Sequence, residues 1–102
     1  MKFTWDPRKA GSNFRKHGIA FDEAITVFSD PFALIFDDEE HSEDEQREII
    51  IGYSTLTMLL LVCFVERDED TIRLISARRA TKAEIKDYEK NARKQNQDSQ
   101  SF

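Results

Sequence analysis

Two adjacent arginines, Arg78 and Arg79, stand about three helical turns before a tyrosine, Tyr88. A guanidinium carries a permanent charge and a planar fork that fits two oxygens of one phosphate, so the pair suits anion binding. Tyr88 suits proton donation, or equally the structural task of closing a helix onto a sheet. His17 is one of two histidines, the side chain that titrates near neutrality unaided. It also sits in the last turn of a predicted helix, where a cation favourably meets the helix dipole. Glu66 is a further candidate base, although a carboxylate in a turn is usually solvated. His41 lies within an acidic loop and reads as a solvated residue. No histidine pair or carboxylate dyad is apparent.

The elements that place these groups follow from periodicity. Ile72, Leu74 and Ser76 alternate with Arg73, Ile75 and Ala77, which predicts a strand from Thr71 ending near Arg78. Thr81 followed by Glu84 forms a capping box that starts a helix, and Ile85, Tyr88 and Ala92 recur along its inner face. Arg78, Arg79 and Tyr88 are therefore expected to share one site.

Towards the N-terminus, Asp6-Pro7 opens a helix and Gly18 stops it, which predicts helix one over Pro7 to His17. Phe21, Ala24, Ile25 and Phe28 predict helix two over Phe21 to Ser29, ended by Pro31. An aromatic face of Phe14, Phe21 and Phe28, joined by Trp5, requires a sheet to cover it. Phe32 to Phe36 predicts a first strand. Arg47 to Tyr53 and Met58 to Val65 predict a central hairpin joined through Ser54 to Thr57. The expected fold class is α+β: two N-terminal helices, an antiparallel sheet of three to four strands with one open face, and a C-terminal helix. The length, 102 residues, suits a single domain over residues 1–92, followed by a polar and disordered tail over residues 93–102.

The longest apolar run, Met58 to Val65, suits a buried strand and is too short for a bilayer span; no membrane association is expected. The start, MKFTWDPRK, lacks the apolar core of a secretion signal, so a cytoplasmic location is expected. Cys63, the single cysteine, implies neither an internal disulfide nor a zinc site, and neither a metal nor another cofactor is expected. The net charge is −5, unevenly distributed. Residues 37–48 hold eight acids (37, 38, 39, 40, 43, 44, 45, 48) against Arg47, a balance of −7. Residues 71–95 hold eight bases (73, 78, 79, 82, 86, 90, 93, 94) against three acids (84, 87, 89), a balance of +5. A chain so divided can present a basic face to a polyanion while its acidic loop faces elsewhere.

Four stretches in order, WDPRKAGSNFRKHGIAF, EAITVFSDP, HSEDEQREIIIG and IRLISARRATKAEIKDYE, resemble the BrnT family, toxins of bacterial type II toxin-antitoxin pairs. The resemblance covers about residues 3 to 90. It implies a RelE-like microbial ribonuclease fold and metal-independent RNA cleavage that arrests translation and growth. It also implies a BrnA-like antitoxin with a ribbon-helix-helix DNA-binding domain. The pair would form a 2:2 heterotetramer that represses its own operon by binding operator DNA.

RNA cleavage without metal uses the substrate's 2′-hydroxyl as nucleophile, so the enzyme must activate that hydroxyl, stabilise the phosphate and protonate the leaving oxygen. Arg67, Arg78 and Arg79 are the candidates for the phosphate, with Arg67 supported by the family's recurring arginine after the long apolar strand. Tyr88, Glu66 and His17 are the candidates for proton transfer, Tyr88 also for stacking on a base. Arg73, Lys82 and Lys86 are the expected RNA contacts. Glu43, Asp44 and Glu45 would repel RNA and are expected to dock a basic segment of the antitoxin. The alternative to the enzyme is a non-catalytic α+β module that binds a protein partner, as the corepressor half of an operon regulator.

Overall fold

The computed structural model describes residues 1–41 and 45–100, with side chains described through residue 94. Strand β1 (Lys2–Thr4) leads into helix α1 (Pro7–His17), then α2 (Phe21–Ala24) continued by a 3₁₀ segment (Ile25–Ser29). Strand β2 (Leu34–Asp37) and a 3₁₀ turn (Glu39–His41) precede β3 (Glu48–Tyr53), β4 (Leu59–Glu66), β5 (Thr71–Arg79) and helix α3 (Lys82–Gln100). The sheet order is β1-β5-β4-β3-β2.

The architecture is the expected α+β class with one more strand and one parallel pair. β2 to β5 are antiparallel neighbours, whereas β1 runs parallel to β5 through Lys2↔Thr71, Phe3↔Ile72 and Thr4↔Arg73. Three residues carry too little alternation to reveal a strand, so β1 is legible only from its partner.

β4 is buried on both faces, which explains its unbroken apolar run. Leu60, Val62 and Phe64 pack with Ile72, Leu74 and Ala77 beneath Ile19, Phe21, Ala24 and Val27. Leu59 and Leu61 join Ile51 on the opposite face, against Tyr88 and Ile85 of α3. The expectation of one open sheet face therefore needs correction: α3 covers part of it.

Helix α1 has the predicted bounds because Asp6 accepts the amide of Arg8 at 2.9 Å, Pro7 occupies the first turn, and Gly18 closes the helix at φ 71°. Its buried residue, however, is Asn13, while Phe14 is exposed. The aromatic cluster consists instead of Trp5 on Phe21 and of Phe28 between Phe3 and Phe64.

The predicted second helix splits into α2 and the 3₁₀ segment. The stretch from residue 93, expected to be structureless, is wound into α3 as far as Gln100. Its lysine, arginine and three glutamines are good helix formers, and the stretch holds no glycine or proline to break the backbone.

Candidate active site

The strand-to-helix junction is built as the sequence suggests. Thr81 Oγ1 accepts the Glu84 amide at 3.2 Å, and Glu84 Oε1 accepts the Thr81 amide at 2.7 Å. The same carboxylate holds Arg78 end-on, Nη1 to Oε1 at 2.9 Å and Nη2 to Oε2 at 3.0 Å, and Nη1 also donates to the Arg79 carbonyl at 3.1 Å. Those bonds use three of the five N–H groups of a guanidinium. The remaining two, on Nε and Nη2, lie along one edge, the geometry that takes two oxygens of a phosphate. Hydrogen bonding to Glu84 raises the Arg78 pKa, against the effect of burial, and hydrogen bonding from Arg78 in turn holds the Glu84 carboxyl below the usual carboxylate range. Arg78 is thus a fixed cation whose outer edge makes no hydrogen bond to the described residues.

Beside it, on the part of the α3 face that α3 leaves open, runs a groove of about 340 Å³. Its floor is Ile49, Leu61 and Cys63, and its polar walls are Arg78, Arg47, His41, Asp38 and Glu40, so the start of the acidic loop, expected to face away from the basic surface, lines this groove instead. His41 Nδ1 lies 3.2 and 3.1 Å from the two carboxylate oxygens of Asp38. The Asp38 side chain is 12% exposed and that of His41 61%, so a held carboxylate orients an accessible ring. Imidazole paired in this way through Nδ1 presents Nε2 for proton transfer. The Cys63 thiol also donates to Asp38, at 3.7 Å, and burial first, then the Asp38 charge, pushes its pKa up to about 11. Cys63 is therefore a neutral thiol in this groove, not a nucleophile.

The residues singled out from sequence do not converge. Arg78 pairs with Leu61 and Arg79 with Leu60 on β4, so alternation sends the two arginines to opposite faces of the sheet. Tyr88 is 5% exposed, donates to Asp30 Oδ2 at 2.7 Å and meets the Tyr53 ring edge-on at 5.3 Å. Burial first, then the bond to Asp30, raises its pKa above the ordinary phenol value. The expected Arg78–Arg79–Tyr88 site is thereby corrected to Arg78 alone, with Tyr88 as a core tyrosine.

Glu66 pairs with Ile72, five residues from Leu61 along β4, or roughly 17 Å at the strand repeat. It shares a small acidic hollow with Asp68, Glu69 and Asp70, a setting that repels a polyanion. Arg67, in the same turn, is ion-paired with Glu45 at 2.9 Å. His17 lies on α1 with Lys9 and Lys16, outside the groove. Among the described residues, Arg73, Lys82 and Lys86 also lie outside it; Lys86 borders a separate hollow with Lys90, Arg93 and Lys94. Glu43 and Asp44 lie outside the described residues.

His41, read from the sequence as a solvated residue, lines the groove with Asp38 and Arg47, which were given no site role. The available signal was a lone histidine and a lone arginine inside the acidic run, flanking the turn between two predicted strands.

A model of the family described as "Ribonuclease toxin, BrnT, of type II toxin-antitoxin system" matches residues 5–84. No curated protein matches the chain. Among solved structures, the crystal structure of the Brucella abortus ribonuclease toxin, BrnT, superposes with a TM-score of 0.62 at 26% identity, covering 80% of this chain and 99% of that one. The family match spans most of the sheet, the groove and the Arg78–Glu84 junction, and on that ground the chain belongs to the BrnT family of ribonuclease toxins of type II toxin-antitoxin systems.

Proposed function

We propose that this toxin cleaves RNA in the Arg78 groove by attack of the substrate's own 2′-hydroxyl, without a metal ion. The observation that carries the reading is the open Nε–Nη2 edge of Arg78 in the same groove as the Asp38-oriented His41. Arg78, with Arg47 lining the same groove, holds the scissile phosphate and offsets the charge that accumulates on it. His41 Nε2 takes the 2′-hydroxyl proton, the 2′-oxygen bonds to phosphorus, and the bond to the 5′-oxygen breaks with that oxygen protonated by solvent. The products are a 2′,3′-cyclic phosphate and a 5′-hydroxyl. Asp38 positions the ring.

Growth arrest follows from loss of message in the cytoplasm. A BrnA-like ribbon-helix-helix antitoxin, in a 2:2 complex that binds operator DNA, neutralises the toxin. The acidic run that includes Glu43, Asp44 and Glu45 supports docking of a basic antitoxin segment.

The test is cleavage of purified single-stranded RNA in excess EDTA. Wild type should yield cyclic-phosphate ends, and Arg78→Ala should yield none while keeping a cooperative unfolding transition. A wild-type chain that binds an antitoxin yet cleaves no RNA overturns the proposal in favour of a binding module.

A further inference from the structure

Resting on that reading, we propose that the bound RNA does not end at the Arg78 groove but crosses the outer edge of β5 onto α1, where Lys9 and Lys16 hold its flanking phosphates. The edge is open because β1 stops pairing at Thr4↔Arg73. Beyond it the register jumps from Phe64↔Leu74 to Cys63↔Ser76, leaving Ile75 opposite no residue of β4. Such a bulge bends the strand and turns its side chains outward. Ile75 and Ser76 line the Arg78 groove on one side and, on the other, a hollow of about 190 Å³ against α1. Only the bulge separates the two.

That second hollow is lined by Lys9, Ser12, Lys16 and His17, with no acid among its described lining residues. Lys9 and Lys16 are seven residues apart, two helical turns on one face, and neither has a carboxylate partner among the described residues. Helix α1 cannot swing away from β5, because Asn13 bonds both the amide and the carbonyl of Ala77. The anchored helix therefore presents the two lysines as a pair of exposed cations beside the Arg78 groove. A single strand can follow such a bent path, which a stiff duplex cannot, so the surface selects unpaired RNA.

The experiment compares wild type with Lys9→Gln/Lys16→Gln, both exposed positions, on a long single-stranded RNA and on a dinucleotide that fills the Arg78 groove alone. For the long RNA, KM should rise about tenfold and the slope of log affinity against log salt should flatten by about 1.4, from two lost phosphate contacts. Dinucleotide cleavage should not change. Equal KM and equal salt slope in the two proteins would overturn the track, as would an equal loss on both substrates. An oligonucleotide blocked by 2′-deoxy substitution separates this inference from the catalytic one. If wild type cleaves nothing but its affinity for that probe still falls in the double variant, the cleavage reading fails and the track stands. If wild type neither cleaves the long RNA nor binds the blocked probe, both fail.

Discussion

The hydroxyl of Tyr88 donates to Oδ2 of Asp30 at 2.7 Å, joining α3 to the segment before β2 across 58 residues of sequence. The same Asp30 oxygen accepts the Tyr53 amide at 2.7 Å, and its partner oxygen accepts the Phe32 amide at 2.9 Å. One carboxylate thus fastens α3, β3 and the entry to β2. Gly52 fits here because a Cβ would stand 3.1 Å from Asp30 Oδ2 and 3.0 Å from Val27. Tyr88→Phe should cost about 1 to 2 kcal/mol in urea unfolding, leaving an acceptor short of one donor. RNA cleavage by the folded variant should match wild type, which separates the core role from a catalytic one.

The pH dependence of that bond has a definite sign. The folded Tyr88 pKa lies above the ordinary value near 10, so its contribution is complete below pH 10 and is lost as the pH rises through the folded value. Wild type should lose more stability than Tyr88→Phe between about pH 10 and 12, followed by thermal unfolding at each pH.

Asn13 is a second fastening. Its Oδ1 accepts the Ala77 amide at 3.0 Å, while Nδ2 donates to the carbonyls of Ala77 at 2.9 Å and Ile19 at 3.1 Å. The side-chain amide thereby takes the place of a neighbouring strand on the buried edge of β5 at Ala77. Asn13→Ala should cost about 3 kcal/mol in thermal unfolding, because buried backbone groups lose their partners. Asn13→Asp should also destabilise, since the carboxylate supplies no donor.

Glu84 closes the capping box and steadies Arg78. Glu84→Gln should lower kcat about 10- to 100-fold by loosening the phosphate ligand, while costing about 1 kcal/mol of helix capping. The folded Glu84 pKa is depressed, so its stabilisation is present above the ordinary carboxylate value and disappears as the pH falls through the folded one. The stability gap between wild type and Glu84→Gln should narrow on acidification below about pH 4.3.

His41→Ala should reduce kcat by about 10²- to 10⁴-fold with little change in RNA affinity, the range for losing a proton-transfer group. Asp38→Asn should reduce kcat less and leave KM unaltered, because the ring remains but loses its orienting charge. Stopped-flow cleavage combined with binding of 2′-deoxy RNA checks both.

Local chemistry determined α1 in full: Asp6, Pro7 and Gly18 act within a few residues of where they stand, as does the Thr81–Glu84 box. The apolar runs likewise determined β3 to β5 to within a residue or two. Alternation along β5 already implied that Arg78 and Arg79 face apart, although adjacency in sequence suggested a pair. Tertiary structure alone decided which groups meet. Strand register brought Arg47 and the Asp38–His41 turn beside Arg78, and carried Glu66 and Arg67 to the acidic end of the sheet. Those partners lie 30 or more residues from Arg78 in the sequence, and periodicity reports which face a residue occupies without reporting what lies across the sheet from it.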